Sequence, residues 1–160
     1  KLLGVDGIGV SYCFGDGSGA ACPCSNSGGA GRGCANSSGQ GAALSAIGSA
    51  SVSADDLALR GAHMSPNQPG LYFQGNNASG GGSGSPFGDG LRCAGGAVIR
   101  LQVRFSNANG SSLTTIGIAA KGGCAAGQLK RYQAWYRDPA GSPCGTQFNL
   151  TNGYEITWTL

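Results

Sequence analysis

Residues 98–105 read VIRLQVRF, an unbroken alternation with Ile99, Leu101, Val103 and Phe105 on one side and Val98, Arg100, Gln102 and Arg104 on the other. Successive side chains of a strand point to opposite faces, so this is the pattern of a half-buried β-strand, with the odd positions expected in a core. RYQAWYR at 131–137 sets Tyr132, Ala134 and Tyr136 against Arg131, Gln133, Trp135 and Arg137. YEITWTL at 154–160 sets Tyr154, Ile156 and Trp158 against Glu155, Thr157 and Thr159. Shorter stretches at 43–50, 56–62, 71–75, 114–119 and 148–150 also read as strands bounded by turn residues. No segment sustains a 3.6-residue period with caps. The expected fold is all-β, an antiparallel sandwich of jelly-roll or immunoglobulin-like type.

Working outward, three regions differ in texture. Residues 1–11 are an apolar N-terminal segment, 12–41 a disulfide-rich segment, and 42–160 the sandwich. Within the last, NNASGGGSGSPFGDG at 76–90 reads as a long surface loop between strands that need each other. Glycine supplies 32 of 160 residues and charged side chains only 11%, against a usual share of about 25%. A disordered chain offsets low hydrophobicity with charge, and this one does not. Glycine at this level suits tight turns and close backbone approach.

The seven cysteines point to an oxidising compartment. No CxxC pair occurs and the single His63 stands far from every Cys, so zinc ligation is not the expectation. Cys13, Cys22, Cys24, Cys34, Cys93 and Cys144 are expected in disulfides. Cys22 and Cys24 flank one proline on an extended chain, which argues against their pairing together. Two local schemes remain, Cys13–Cys22 with Cys24–Cys34 or Cys13–Cys24 with Cys22–Cys34, beside a Cys93–Cys144 bridge between strand ends. Cys124 is then unpaired or intermolecular. The span from Cys22 to Cys34 looks like the last half of an EGF-type module. The chain has neither a signal peptide nor an apolar run of membrane-spanning length, as expected of a mature exported product.

Four motifs occur in order: YCFGDGSGAACPCSNSGGAGRGCANS (12–37), PNQPGLYFQG (66–75), PFGDGLRCAGG (86–96) and RYQAWYRDPAGSPCGTQFNLTNGYEITWTL (131–160). Together they resemble a Cys/Gly-rich module at the C-termini of exported proteins of planctomycetes and related bacteria. The resemblance covers about residues 12–160 and implies export and modular use; it supplies no active site. Cys124 lies outside the motif set, and the module accounts for nearly all of this chain.

Candidate chemistry is sparse. There is no GxSxG elbow, and the lone His63 in GAHMSP reads as a turn residue. Asp55 and Asp56 are adjacent, so on a strand their side chains would diverge; they read as a turn. FGDG occurs at 14–17 and 87–90, where Asp16 and Asp89 suit Asp-Gly turns better than a calcium loop. The expectation is a protein without catalytic residues, cofactor or metal. Four N-x-S/T sequences, at Asn36, Asn77, Asn109 and Asn149, suggest surface loops.

Two partner surfaces stand out. Leu2, Leu3, Val5, Ile8 and Val10 precede the first crosslink, where no local core covers them, at about 1.5–3 kcal/mol per large side chain left exposed. They either return to their own sheet as an edge strand or dock on a neighbouring subunit. Strand addition repeated head to tail would build a filament. From residue 92 to 137 there are seven basic residues and no acid. Alternation puts Arg100 and Arg104 outward on one strand, and Arg131, Trp135 and Arg137 outward on another. The leading expectation is an extracellular structural subunit, a homo-oligomer or homopolymer assembled through its N-terminus. The alternative is a surface-attached module binding carbohydrate or another anionic polymer through the basic face.

Overall fold

The alternating stretches become the longest strands, because each can bury one face and leave the other to a second covering layer. A computed structural model describes residues 8–160. In chain order the strands are β1 (Val10–Tyr12), β2 (Ala43–Ile47), β3 (Ala58–Ala62), β4 (Pro69–Gly75), β5 (Asn77–Ala78), β6 (Ser85–Phe87) and β7 (Gly90–Arg92). They continue as β8 (Ala94–Gly95), β9 (Ile99–Phe105), β10 (Ser112–Leu113), β11 (Leu129–Arg137), β12 (Phe148–Leu150) and β13 (Gly153–Thr157). All pairing between these strands is antiparallel.

The larger sheet runs β1-β13-β11-β4-β9, with β12 also on β11. The smaller runs β10-β3-β2. Between them lies the main core, with Tyr72, Leu101, Tyr132, Ala134, Tyr136, Tyr154 and Ile156 from the first sheet and Leu44, Ala46 and Leu59 from the second. The architecture is therefore an antiparallel all-β sandwich, without a clear jelly-roll pattern. Its core is unusually phenolic, and the hydroxyls are partnered as burial demands. Tyr72 accepts from Gly61 N at 2.9 Å, Tyr136 accepts from Asn36 Nδ2 at 3.0 Å, and Tyr132 donates to Gln74 Oε1 at 2.8 Å while accepting from Trp158 Nε1 at 2.9 Å.

β9 departs from the alternation read in its sequence. Tyr72 stands opposite Gln102, but the next residue, Phe73, stands opposite Arg100, so Leu101 is the extra residue of a β-bulge. An inserted residue reverses the faces of everything beyond it. Leu101 stays in the core, whereas Val103 and Phe105 turn outward and are 57% and 69% exposed. Arg104 moves to the side that Val103 and Phe105 vacate. A pairing slip of this kind is not visible in one strand's own pattern.

Residues 114–119 form no strand. Instead α1 (Ile118–Gly122) begins there. Asp55, on a distant loop, accepts from Ala119 N at 2.8 Å and Ala120 N at 3.1 Å, and Gly123 closes the helix in the left-handed conformation. The cap comes from 64 residues away, so local sequence does not announce it.

The stretch 76–90 is not a free loop. β5 pairs β8 and β6 pairs β7, and these ribbons lie over the outer face of the larger sheet. Gln133 joins the layers while fully buried: Oε1 accepts from Cys93 N at 2.8 Å, and Nε2 donates to Leu91 O at 2.8 Å and Thr151 O at 2.7 Å. Close approach there needs glycine, since a Cβ on Gly75 would strike the backbone of Gly95.

The disulfides join Cys13 to Cys93, Cys22 to Cys34 and Cys24 to Cys144. Cys124 is free and buried. The Cys93–Cys144 bridge does not form, and of the local pairs only Cys22–Cys34 does. Residues 12–41 are thus not a self-contained EGF-like unit, because two of their bonds lead into the sandwich. Gly33 packs so closely on Leu150 O that no side chain fits, and Asn26 Nδ2 donates to Asp89 O at 2.8 Å. The segment lies against the sheet, which brings Cys13 to Cys93 and Cys24 to Cys144.

Candidate ligand-binding face

Across the outer face of the larger sheet, Leu150, Trp135, Leu71 and Val103 stand in register on four adjacent strands. Directly opposed residues share a face, so the four form one apolar row. In the next row, Phe73 stands opposite Arg100. Trp135 also makes edge-on contacts with Phe87 and Phe148, at centroid distances of 5.4 and 5.6 Å, and these two rings lie 5.2 Å apart. The three rings brace one another, which fixes the indole without further hydrogen bonds.

Two hollows adjoin this row and share Leu71, Arg100 and Trp135 as a common wall. One, of about 160 Å³, is completed by Phe73, Phe87, Arg92 and Val98. That is room for a single six-membered ring, judged by cavities of roughly 150 Å³ that admit benzene. The other includes Val103 and Arg137. No carboxylate of the described residues lines either hollow.

The charge balance of the face follows from where the acids go. Asp16 accepts from Ser18 and Gly31, Asp56 from Ser49, Asp89 from Cys144 and Thr146, and Asp138 from Ser37 and Ser65. Asp55 caps α1. Each of these carboxylates therefore holds a loop or helix end. Burial pushes the Asp16 carboxyl up, but the bonds from Ser18 and Gly31 outweigh it and hold the group below its ordinary range. Among the described residues the single ion pair is Arg131–Glu155, Nε to Oε2 at 3.2 Å. Arg92, Arg100 and Arg137 have no carboxylate partner among the described residues.

Of the five residues expected on the basic face, the structure brings Arg100, Trp135 and Arg137 together around one hollow. Arg131 is occupied, bonded to Glu155 and donating from Nη1 to Asn76 O at 2.7 Å. Arg104 lies on the other side of β9 because of the bulge. Leu71, Phe87, Val103 and Phe148 belong to the face and escaped the sequence reading, while Val98, read as outward beside Arg100, and Arg92, counted among the basic residues, were not assigned to it. Leu71 had a usable signal, the alternation of Leu71 and Phe73 against Tyr72 and Gln74; Val103 did not.

The N-terminal surface is divided. Leu2, Leu3 and Val5 lie outside the described residues. Ile8 packs against the main core, and β1 pairs with β13 of its own chain through Val10↔Glu155, Ser11↔Tyr154 and Tyr12↔Gly153. Val10 remains 42% exposed at the sheet edge. The Cys13–Cys93 bond fixes the end of β1 to its own sandwich.

Two of the four N-x-S/T asparagines are not on the surface. Asn36 and Asn149 are buried, the first donating to His63 O at 2.9 Å and Tyr136 OH, the second to Ala35 O at 3.0 Å. Asn77 and Asn109 are exposed. No helix among the described residues is long and apolar enough to cross a membrane. The three disulfides are the chemistry of an oxidising compartment. Compared with protein-family models, with curated proteins and with solved structures, the chain matches none.

Proposed function

We propose that this chain is an extracellular binding module for acidic polysaccharide, with the Trp135 face as its site. The observation that carries the reading is the wall of Trp135 and Arg100 shared by two adjacent hollows without a carboxylate. Successive sugar units would lie in the two hollows, with apolar ring faces against Trp135 and Leu71. Their carboxylate or sulfate groups would meet Arg92, Arg100 and Arg137. Guanidinium groups suit such oxyanions because their planar fork donates two parallel hydrogen bonds.

Affinity electrophoresis in gels containing dextran sulfate, polygalacturonate or neutral dextran tests the reading. Retardation by an acidic polymer and not by the neutral one is expected, weakening as salt screens the charges. Trp135→Ala and the double change R100Q/R137Q should each weaken binding by about tenfold or more. Retention unchanged in both variants, or equal retardation by neutral dextran, overturns it.

A further inference from the structure

A second basic concavity lies beside β10, where the free edges of the two sheets approach each other. Its lining includes Arg60 of β3, Arg104 and Phe105 of β9, Asn107 and Ser111 from the turn before β10, and Ser112 of β10, with Ile47 and Leu113 as its further apolar walls. The bulge at Leu101 puts Arg104 here. With the uninterrupted pairing expected from the sequence, its guanidinium would stand on the Trp135 face instead.

Arg60 and Arg104 both line this concavity, and none of its lining residues among the described residues is acidic. Two cationic side chains lining one concavity without an acidic neighbour leave it positively charged. Arg104 Nε is the sole buried side-chain nitrogen or oxygen among the described residues that lacks a hydrogen-bond partner. The Nε–H of a permanently charged guanidinium is a strong donor, and leaving it dry and unpaired is unfavourable unless an acceptor reaches it. The surrounding polar groups are of the right kind to complete a shell. Asn107 is exposed, and its Oδ1 already accepts from Asn109 N and Ser111 N, which positions the turn. Tyr72 OH and Ser112 Oγ lie 2.5 Å apart, so Ser112 is held in place from beneath.

We infer that Arg60 and Arg104 form an oxyanion site, distinct from the Trp135 face, which takes a sulfate, phosphate or carboxylate group between the two guanidinium forks. The shared chemistry is an oxygen acceptor for Arg104 Nε–H together with negative charge to offset both cations. Tetrahedral and planar anions are separated by the titration arms below.

The disulfide-intact protein is titrated with sodium sulfate, sodium phosphate and sodium acetate, each against sodium chloride of equal ionic strength, and followed by amide and Arg Nε–H nuclear magnetic resonance. Saturable shifts at Arg60, Ser111, Ser112 and the Arg104 Nε–H are expected with at least one of the three oxyanions and not with chloride. Arg60→Gln and Arg104→Gln should each weaken that binding about tenfold. Arg104→Lys, which keeps the charge but loses the fork, should weaken it as well. Arg60 is exposed, so its variant keeps the test decisive if the Arg104 variants misfold. Shifts no larger than those with chloride overturn the inference. So does oxyanion binding unaffected by Arg60→Gln but abolished by R100Q/R137Q, which would assign it to the other face.

Discussion

Cys24 is bonded to Cys144 across 120 positions of sequence, tying the Gly-rich N-terminal segment to the loop that follows β11. Cys22, two residues earlier, closes a span of only 12 residues with Cys34. A crosslink restricts the unfolded chain more when it closes a longer loop. Replacing Cys24 and Cys144 by Ser should therefore cost about 2–5 kcal/mol, and more than replacing Cys22 and Cys34. Guanidinium unfolding of the two double variants checks the order; equal midpoints would mean that strain or residual structure outweighs loop length.

Gln133 has no surface role, although it shares the outward side of β11 with Trp135. Its amide joins β11 to the overlying ribbon, and Leu in its place would leave Cys93 N, Leu91 O and Thr151 O without those partners. Gln133→Leu should destabilise the fold by about 2–4 kcal/mol. Because β7 and β8 are held by this amide, hydrogen exchange at residues 90–95 should quicken more than in β2 or β3.

Gly33 and Gly19 offer a contrast in glycine use. An added Cβ at Gly33 would strike Leu150 O, whereas at Gly19 the nearest atom is 3.8 Å away. Gly33→Ala is expected to cost about 2 kcal/mol or more by forcing the N-terminal segment off the sheet. Gly19→Ala should stay within about 0.5 kcal/mol. Thermal unfolding of the pair measures both.

Alkali should unfold the protein through its phenols. Burial, ahead of every other influence, holds Tyr12, Tyr72, Tyr132 and Tyr136 above the ordinary phenol value of 10.0. A raised folded pKa means that the stabilisation is complete below the unfolded value, and is lost as pH rises from there toward the folded one. Stability should thus decline from about pH 10 upward. In brief pH jumps, tyrosinate absorbance should appear together with loss of tertiary circular dichroism. Phenols that titrate fully before the fold is lost would contradict this.

Expression in a host that glycosylates should modify Asn77 and Asn109 alone. The amide nitrogens of Asn36 and Asn149 donate to buried acceptors, so the folded fraction should carry no glycan at either position. Peptide mass spectrometry settles the occupancy.

Much of the sandwich is legible in single strands. Period-two alternation located β11 and assigned Tyr132, Ala134 and Tyr136 to the core, because side-chain direction along a strand is a local property. It also found β12, and most of β2, β3, β4 and β13. What failed depended on a partner strand or a distant loop. The bulge opposite Tyr72 and Phe73 is a property of the β4–β9 pair, and it alone moved Arg104 from one face to the other. The helix at residues 118–122 depends on a carboxylate from Asp55, and the short ribbons over Gln133 depend on the sheet beneath them.

The sequence by itself determined an antiparallel β-protein with phenolic core faces and a surplus of cations in its second half. It also supplied six cysteines that enter disulfides, for which local spacing offered Cys22–Cys34 in one of two schemes and missed the other two bonds. Tertiary structure decided which cysteines met, because the segment from residue 12 to 41 lies on the sheet and exchanges its nearest neighbours for Cys93 and Cys144. It likewise decided which arginines surround Trp135. Strand pairing, with one inserted residue, sets the face of every side chain beyond the insertion.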